Sequence, residues 1–534
     1  MKIESIVIVG GGSSGWMTAA ALSKLCPTIE IALIESKNIK TVGVGESTLG
    51  HINRYLRLLD LKDEDWMASC NATYKNSIRF TNFRENDGSH FEYPFGCDFD
   101  LTDKSNGLNT WSELTCLDPT YTPETFAEFY NSNTFLAKYN KQTRNQDNKI
   151  RNFNFDYDTA YHLDAELFGQ YLKDNIAIPN GVRHIIGDVT GFQPKSAHDI
   201  SIEYLVVDQE TAIQADLYID CTGFKSLLLE NYQGVPFKSF NSKLANDSAW
   251  ACRIPYIDRE NEMHNVTDCY ALNNGWVWNI PLWNRIGTGY VYSSRFTTKE
   301  EAKQEFRDHL SKTDPTRAEA AEMFHVDIRH GKREKAWVRN VVGIGLSYGF
   351  VEPLESTGLL TTHENVIKLV ELLNRRDGYI CRSEIDGFNF AVDHEVDGFV
   401  DFISMHYAFS MREDTPYWRW ATQLNEYNPD MMSAFLNRQG GYQNFLTNTL
   451  TNNNWSAGFN GILYIAAGMG MRSISSIKSL EQIYHAKNKN MDMIHDSKKK
   501  YEQYRDYIVE YVKTLPSHYE FLRDTIYGGI DEHI

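Results

Sequence analysis

The chain opens with a continuous apolar run, Ile6–Val9, that stops at three consecutive glycines. Such a run predicts a buried strand feeding a tight turn. Trp16 to Leu25 then places apolar residues at helical spacing, and Ile29–Ile34 returns as a second apolar run. The first fifty residues therefore read strand, glycine turn, helix, strand. From about 150 to 300 the pattern is strand-rich: Ile200–Val207, Leu217–Ile219, Trp276–Ile280 and Gly289–Tyr292 alternate with turn residues. Leu359 to Leu373 has the periodicity of an amphipathic helix. Beyond about 385 the chain becomes aromatic-rich and helical, ending in a charged helix around Tyr501–Thr514. The lysine run before it, Lys498–Lys500, reads as a solvated face. No internal repeat and no long low-complexity linker divides the chain.

Composition narrows the class. The 534 residues are 42% hydrophobic and 13% aromatic, enough for a large globular core. The formal net charge of −18 repels nucleic acid and anionic membranes, so neither is an expected partner. The first ten residues lack the basic flank and longer apolar core of a signal peptide. No stretch of about 20 apolar residues is present to span a bilayer. The eight cysteines are scattered without a paired CxxC, which reads as reduced structural thiols in a cytoplasmic protein. No metal site is expected.

The glycine turn carries the first chemistry. Gly10-Gly11-Gly12-Ser13-Ser14-Gly15 satisfies G-x-G-x-x-G between a strand and a helix. Gly10 makes the sharp turn, Gly12 lets the backbone approach a pyrophosphate, and Gly15 lets helix and strand pack closely. The helix N-terminus, with Ser13 and Ser14, offers N–H groups to phosphate. Glu35 closes the second strand and is placed to accept from a ribose hydroxyl. A second strand end, Asp220-Cys221-Thr222-Gly223, resembles the second nucleotide fingerprint of two-dinucleotide-fold flavoproteins. The expected fold class is therefore α/β, a Rossmann-like FAD-binding core with a mainly helical substrate-binding subdomain. The core is expected over 1–385, with an inserted substrate-side segment at about 85–150, and the helical subdomain over 386–534.

Gly275-Trp276-Val277-Trp278-Asn279-Ile280-Pro281 matches W-x-W-x-I-P, the signature of flavin-dependent halogenases. With it, in family order, come Gly10–Trp16, Gly43–Thr48, Asp220–Phe224, Gly289–Ser294, Pro353–Gly358 and Asp414–Arg419. By these motifs the chain resembles the tryptophan-halogenase family. The resemblance implies FAD, used as FADH2 from a separate reductase, together with O2 and a halide. It places Lys75 on the catalytic lysine and Glu355 on its partner glutamate. Thr357 and Gly358 fall on the halide site, and Val189, Leu346 and Leu359 on positions lining FAD. Trp276 and Trp278, two apart on a strand, point the same way. Such an indole wall keeps an organic ring from the flavin while admitting a small ion. The expected product is a halogenated aromatic, formed by hypohalous acid steered by Lys75 and Glu355.

The resemblance is incomplete on the substrate side. The tryptophan expected shortly before Ile462-Leu463 is replaced by Phe459-Asn460-Gly461, and Trp455 is out of register. Tyr93 stands where histidine is expected, and Phe95 is the best candidate to stack on substrate. Tyr93, Phe95 and Phe459 therefore outline an indole- or phenol-accepting pocket not restricted to free tryptophan. A homo-oligomer is left open. The competing reading is an FAD-dependent aromatic hydroxylase, which would share the glycine loop but not the tryptophan pair or Lys75.

Overall fold

The computed structural model describes residues 2–38, 45–96, 111, 114–115, 117–423, 459–470 and 491–528. Its contacts gather into two compact units, each built from three separate stretches of chain. The first takes residues 1–73, 161–241 and 327–399; the second takes 74–160, 242–326 and 400–534. The linear division near residue 385 follows the change in composition, whereas these units follow the packing.

The first unit is built on a sheet whose central strand is Ser5–Val9. It pairs in parallel with Glu30–Glu35 on one side and Leu217–Asp220 on the other. The parallel ladder continues outward to Arg183–Ile186 and to Val341–Gly343, and Trp337–Val338 adds an antiparallel edge. Parallel strands joined by helices are covered on both faces, which is why they read as unbroken apolar runs. The helix Ser13–Leu25 follows the first strand and is buried along most of its length. A three-stranded antiparallel sheet, Val189–Pro194, Ile202–Val207 and Thr211–Gln214, packs its apolar side into the same core as Val7, Val9, Ile34 and Tyr218.

The second unit carries a mostly antiparallel sheet running Ser248–Ile254, Ile286–Tyr292, Gly275–Pro281, Val266–Ala271, Ser77–Thr81 and His90–Pro94. The one parallel join among these strands is Val266–Ala271 with Ser77–Thr81. One face packs against the helices Lys299–Ser311 and Pro315–Ala320 through Trp250, Tyr290 and Phe306. Among the described residues, the helical end expected beyond about 385 comprises Arg382–Ala408, Pro416–Thr422, Phe459–Gly468, Met491–Lys513 and His518–Thr525. The lysine run lies on an exposed or partly exposed face. Lys498 reaches Asp118 at 2.6 Å and holds that carboxyl down at about 2. Six cysteines are described, all free, and only Cys381 is exposed; Cys97 and Cys116 lie outside the described residues.

Candidate active site

The glycine loop has the geometry its sequence demands. Gly10 has φ +116°, and a Cβ there would sit 2.3 Å from the Cys221 carbonyl oxygen. A Cβ on Gly15 would sit 1.9 Å from the Gly10 oxygen, so helix and turn touch backbone to backbone. A Cβ on Gly12 would meet nothing within 4 Å, and no side chain caps the helix there. Open space above an uncapped helix N-terminus is what a pyrophosphate needs, so these residues fit FAD. Glu35 ends the second strand with its carboxylate 2.7 Å from His184 Nε2. His184 packs edge-on to Trp16, which fixes the direction of that bond. Gly11 belongs to the same arrangement, because a Cβ there would collide with the Glu35 side chain.

The Asp220 turn supports this loop from the next strand. Its buried carboxylate accepts from Thr222 N–H and hydroxyl on one oxygen, and from Leu228 and Leu229 N–H on the other. Burial pushes that carboxyl up, and the four donors oppose the shift. The Gly43–Thr48 motif is described from Gly45 onward; Gly43 and Val44 lie outside the described residues. Desolvation and the Asp164 charge push the Glu46 carboxyl up to about 7.

Leu346 sits in the turn Gly345–Ser347 and is half-buried, while Val189 is half-buried against the small sheet's core. Leu359 is buried in the helix Thr357–Arg375. Just before that helix, Glu355 and Ser356 both take left-handed backbone conformations, φ +67° and +57°. Two consecutive non-glycine residues there cost about 1–3 kcal/mol each, which a packed surrounding must offset. Glu355 is buried. The Thr357 hydroxyl donates to the Glu352 carbonyl at 3.0 Å, and no side chain caps the helix. The Ser14 hydroxyl lies 3.5 Å from that of Thr362, so the glycine loop and this helix abut.

In the second unit, Lys75 is fully buried at the end of the strand Thr73–Lys75. Its Nζ lies 5.0 Å from the centre of the Phe95 ring, a cation–π distance. An amide network holds the two together. Asn76 N–H donates to Asn265 O at 2.7 Å, and Phe95 N–H donates to Asn76 O at 2.9 Å. The Asn133 side chain donates to both Asn76 O and Phe95 O, Asn131 also donates to Phe95 O, and Asn76 donates to Gln142. Tyr93 stands edge-on to Phe95 and stacks on Tyr464 at 5.9 Å. Phe459 opens the helix carrying Tyr464, and its side chain lies outside the described part of the structure, as does Trp455. Lys75 and Glu355 fall in different units.

Trp276 and Trp278 are buried on Gly275–Pro281 with ring centres 6.3 Å apart in an edge-on pair. Trp278 pairs across the ladder with Gly289, whose missing side chain makes room for its ring. A Cβ on Gly289 would sit 2.2 Å from Trp278 Cη2. Gly289→Ala is therefore expected to displace that indole and lower stability by about 1–3 kcal/mol. Thermal unfolding together with near-ultraviolet dichroism checks this; unchanged spectra would exclude the displacement.

Sequence reasoning missed His518. Its Nδ1–H donates to Met263 O, and its Nε2 accepts the Tyr74 N–H, both at 3.1 Å. Burial lowers its pKa from 6.5 to about 4. The folded protein thus keeps this ring neutral while the unfolded chain protonates below 6.5. The associated stability is present above that pH and is lost as pH falls toward 4, by up to about 3 kcal/mol. A melting temperature that falls from pH 7 to 4.5, and falls less steeply in His518→Leu, is the expected result. Parallel curves would remove His518 from the acid response.

The doubly anchored glycine loop, with a carboxylate closing the second strand, fits a dinucleotide-binding flavoprotein core. The comparisons give the family. Residues 5–479 match the tryptophan halogenase family model. The chain is 34% identical to the 7-chloro-L-tryptophan 6-halogenase KtzR of Kutzneria sp. (strain 744), over 97% of this chain and 98% of that one. It is 36% identical to the tryptophan 6-halogenase SttH of Streptomyces toxytricini, over 78% and 80%. Among solved structures it is similar to VirX1 in its apo form, with 61% identity and TM-score 0.90 over 99% of this chain and 100% of that one. It is also similar to Xcc4156, a flavin-dependent halogenase from Xanthomonas campestris, with 28% identity and TM-score 0.83 over 98% and 99%. The chain belongs to the tryptophan halogenase family, whose chemistry uses FAD, a halide and O2, and these relatives favour halogenation over hydroxylation. Among the described residues no helix is long and apolar enough to cross a membrane, and no cluster of metal-ligand type occurs.

Proposed function

We propose that this enzyme halogenates an electron-rich aromatic ring, of indole or phenol type and not restricted to free tryptophan, using FADH2 supplied by a separate reductase. The observation that carries the role of Lys75 is its complete burial beside Phe95. Burying an ammonium is costly, and a lysine is kept there when its charge or its amine is used. Gly10, Gly12, Ser13, Ser14 and Gly15 hold the pyrophosphate of FAD, and Glu35 the ribose. Val189, Leu346 and Leu359 line its rings. When bound and reduced, FAD supplies with O2 the oxidising power that turns halide into hypohalous acid.

The backbone N–H groups of Thr357 and Gly358 hold the halide at the helix start, where the dipole favours an anion. Trp276 and Trp278 exclude the organic ring from the flavin. Lys75 donates a hydrogen bond to hypohalous acid, or as a neutral amine takes up the halogen, and so aims it at one ring carbon. Glu355 stabilises the cationic ring and accepts its proton. Tyr93, Phe95 and Tyr464 form an aromatic wall suited to a flat substrate.

The test is mass spectrometry of a panel of indoles, phenols, pyrroles and free tryptophan. Each is incubated with the enzyme, FAD, a flavin reductase, NADH and either chloride or bromide. Halogenated indoles or phenols formed faster than halogenated tryptophan support the reading. Turnover confined to free tryptophan overturns the substrate proposal, and hydroxylated products overturn the reaction.

A further inference from the structure

The helix His518–Thr525 lies more than four hundred residues from Lys75 in sequence, yet it meets the same strand. His518 is fully buried, and the Tyr74 N–H it accepts belongs to the residue immediately before the lysine. The residue is itself held at three points. Its Nδ1–H donates to Met263 O, its own backbone N–H donates to Asn140 O at 3.0 Å, and Ser517 caps the helix with Glu520. Asn140 in turn donates to Met263 O and accepts from Asn265 N–H. Asn265 is the residue whose carbonyl accepts the Asn76 N–H on the other side of Lys75. Both flanks of the lysine are thus tied to one junction of residues 140–142, 263–265 and 516–518.

The same end of the chain is fastened to the turn between the strands Gly275–Pro281 and Ile286–Tyr292. Trp283, two residues past Pro281, stacks on Tyr527 with ring centres 3.8 Å apart and planes within 5°. It stacks on Tyr519 at 5.5 Å and 8°, and Arg259 lies over it at 5.2 Å. Tyr74 packs against Phe521 and Phe155, which closes the space behind the strand.

We propose that His518 is a positioning residue for Lys75, acting through the Tyr74 backbone, and that the helix His518–Thr525 is the brace that sets where the lysine side chain ends. This rests on the reading of Lys75 as the halogen-directing residue. The geometry separates two functions of the ring: an acceptor at Nε2 that fixes the catalytic strand, and a donor at Nδ1 that fixes the helix. Glutamine reproduces the first and asparagine the second. Leucine fills the space and reproduces neither.

The experiment uses the full chain with FAD, a reductase, bromide and an accepted aromatic substrate. It measures kcat and KM for ring bromination and, separately, hypobromous acid released to a small diketone trap. His518→Leu and His518→Asn are expected to lower kcat for ring bromination by about tenfold or more, the scale on which small misplacements act. KM and the trapped hypobromous acid stay unchanged, and His518→Gln recovers most of the rate. Amide exchange across residues 72–78 rises in the leucine and asparagine variants and not in glutamine. Tyr527→Ala, which loosens the helix at Trp283, gives the same pattern more weakly and serves if the His518 variants do not fold. The proposal is overturned if bromination is unaffected, or if all three His518 variants lose bromination and hypobromous acid together in step with melting temperature. Normal ring bromination by Lys75→Ala would instead remove the reading of the lysine, while the exchange measurement would still report on the brace.

Discussion

Replacing Lys75 by alanine or methionine is expected to cut ring halogenation by about two to four orders of magnitude, the range for loss of a positioned proton-donating or nucleophilic group. Consumption of bromide into trapped hypobromous acid should persist. The separation follows from where the side chain sits. Its Nζ lies 5.0 Å from the centre of the Phe95 ring, while the residues proposed to hold FAD and halide belong to other stretches of chain. Methionine keeps most of the volume, so its variant should fold normally and isolate the ammonium from simple packing. Equal loss of hypobromous acid and ring product would show that Lys75 acts before transfer and would sink its assigned role.

Gly15→Ala is expected to weaken FAD binding by one to two orders of magnitude. The new methyl carbon would sit 1.9 Å from the Gly10 oxygen, an overlap with backbone that no rotamer relieves. Helix and turn must part, at a cost of about 1–3 kcal/mol, and the separated N–H groups no longer converge on one phosphate. Flavin fluorescence titration reads the Kd directly. Gly12→Ala is the informative partner, because its Cβ has no protein neighbour within 4 Å. Any weakening there reports the ligand's own approach. Tight FAD binding by both variants would move the cofactor away from this loop.

These elements were readable in the amino-acid sequence to unequal degrees. The glycine loop was legible because backbone contact imposes glycine at fixed offsets, and the strand Ser5–Val9 and helix Ser13–Leu25 flank it as the periodicity requires. The tryptophan pair was legible because a strand repeats every two residues. Helix and strand ends were less so. The charged helix expected around Tyr501 extends back to Met491, since end residues answer to capping and packing more than to hydrophobic period. The room Gly289 makes for Trp278 emerges only once the ladder register is known. His518 carries no local signal at all. Its partners are Tyr74 and Met263, and a lone buried histidine looks the same in sequence as any other. The ion pair of Lys498 was invisible for the same reason, its carboxylate partner Asp118 lying far away along the chain.

The interleaving of the two units bears on how relatives of this enzyme can be recombined. Residues 400–534 complete a unit whose other two stretches are 74–160 and 242–326. A chimera made at a single crossover near residue 400 would inherit Tyr464 from one parent and Tyr93 from the other, and His518 apart from the Tyr74 it binds. Exchanging substrate preference between parents therefore calls for grafting all three stretches at once.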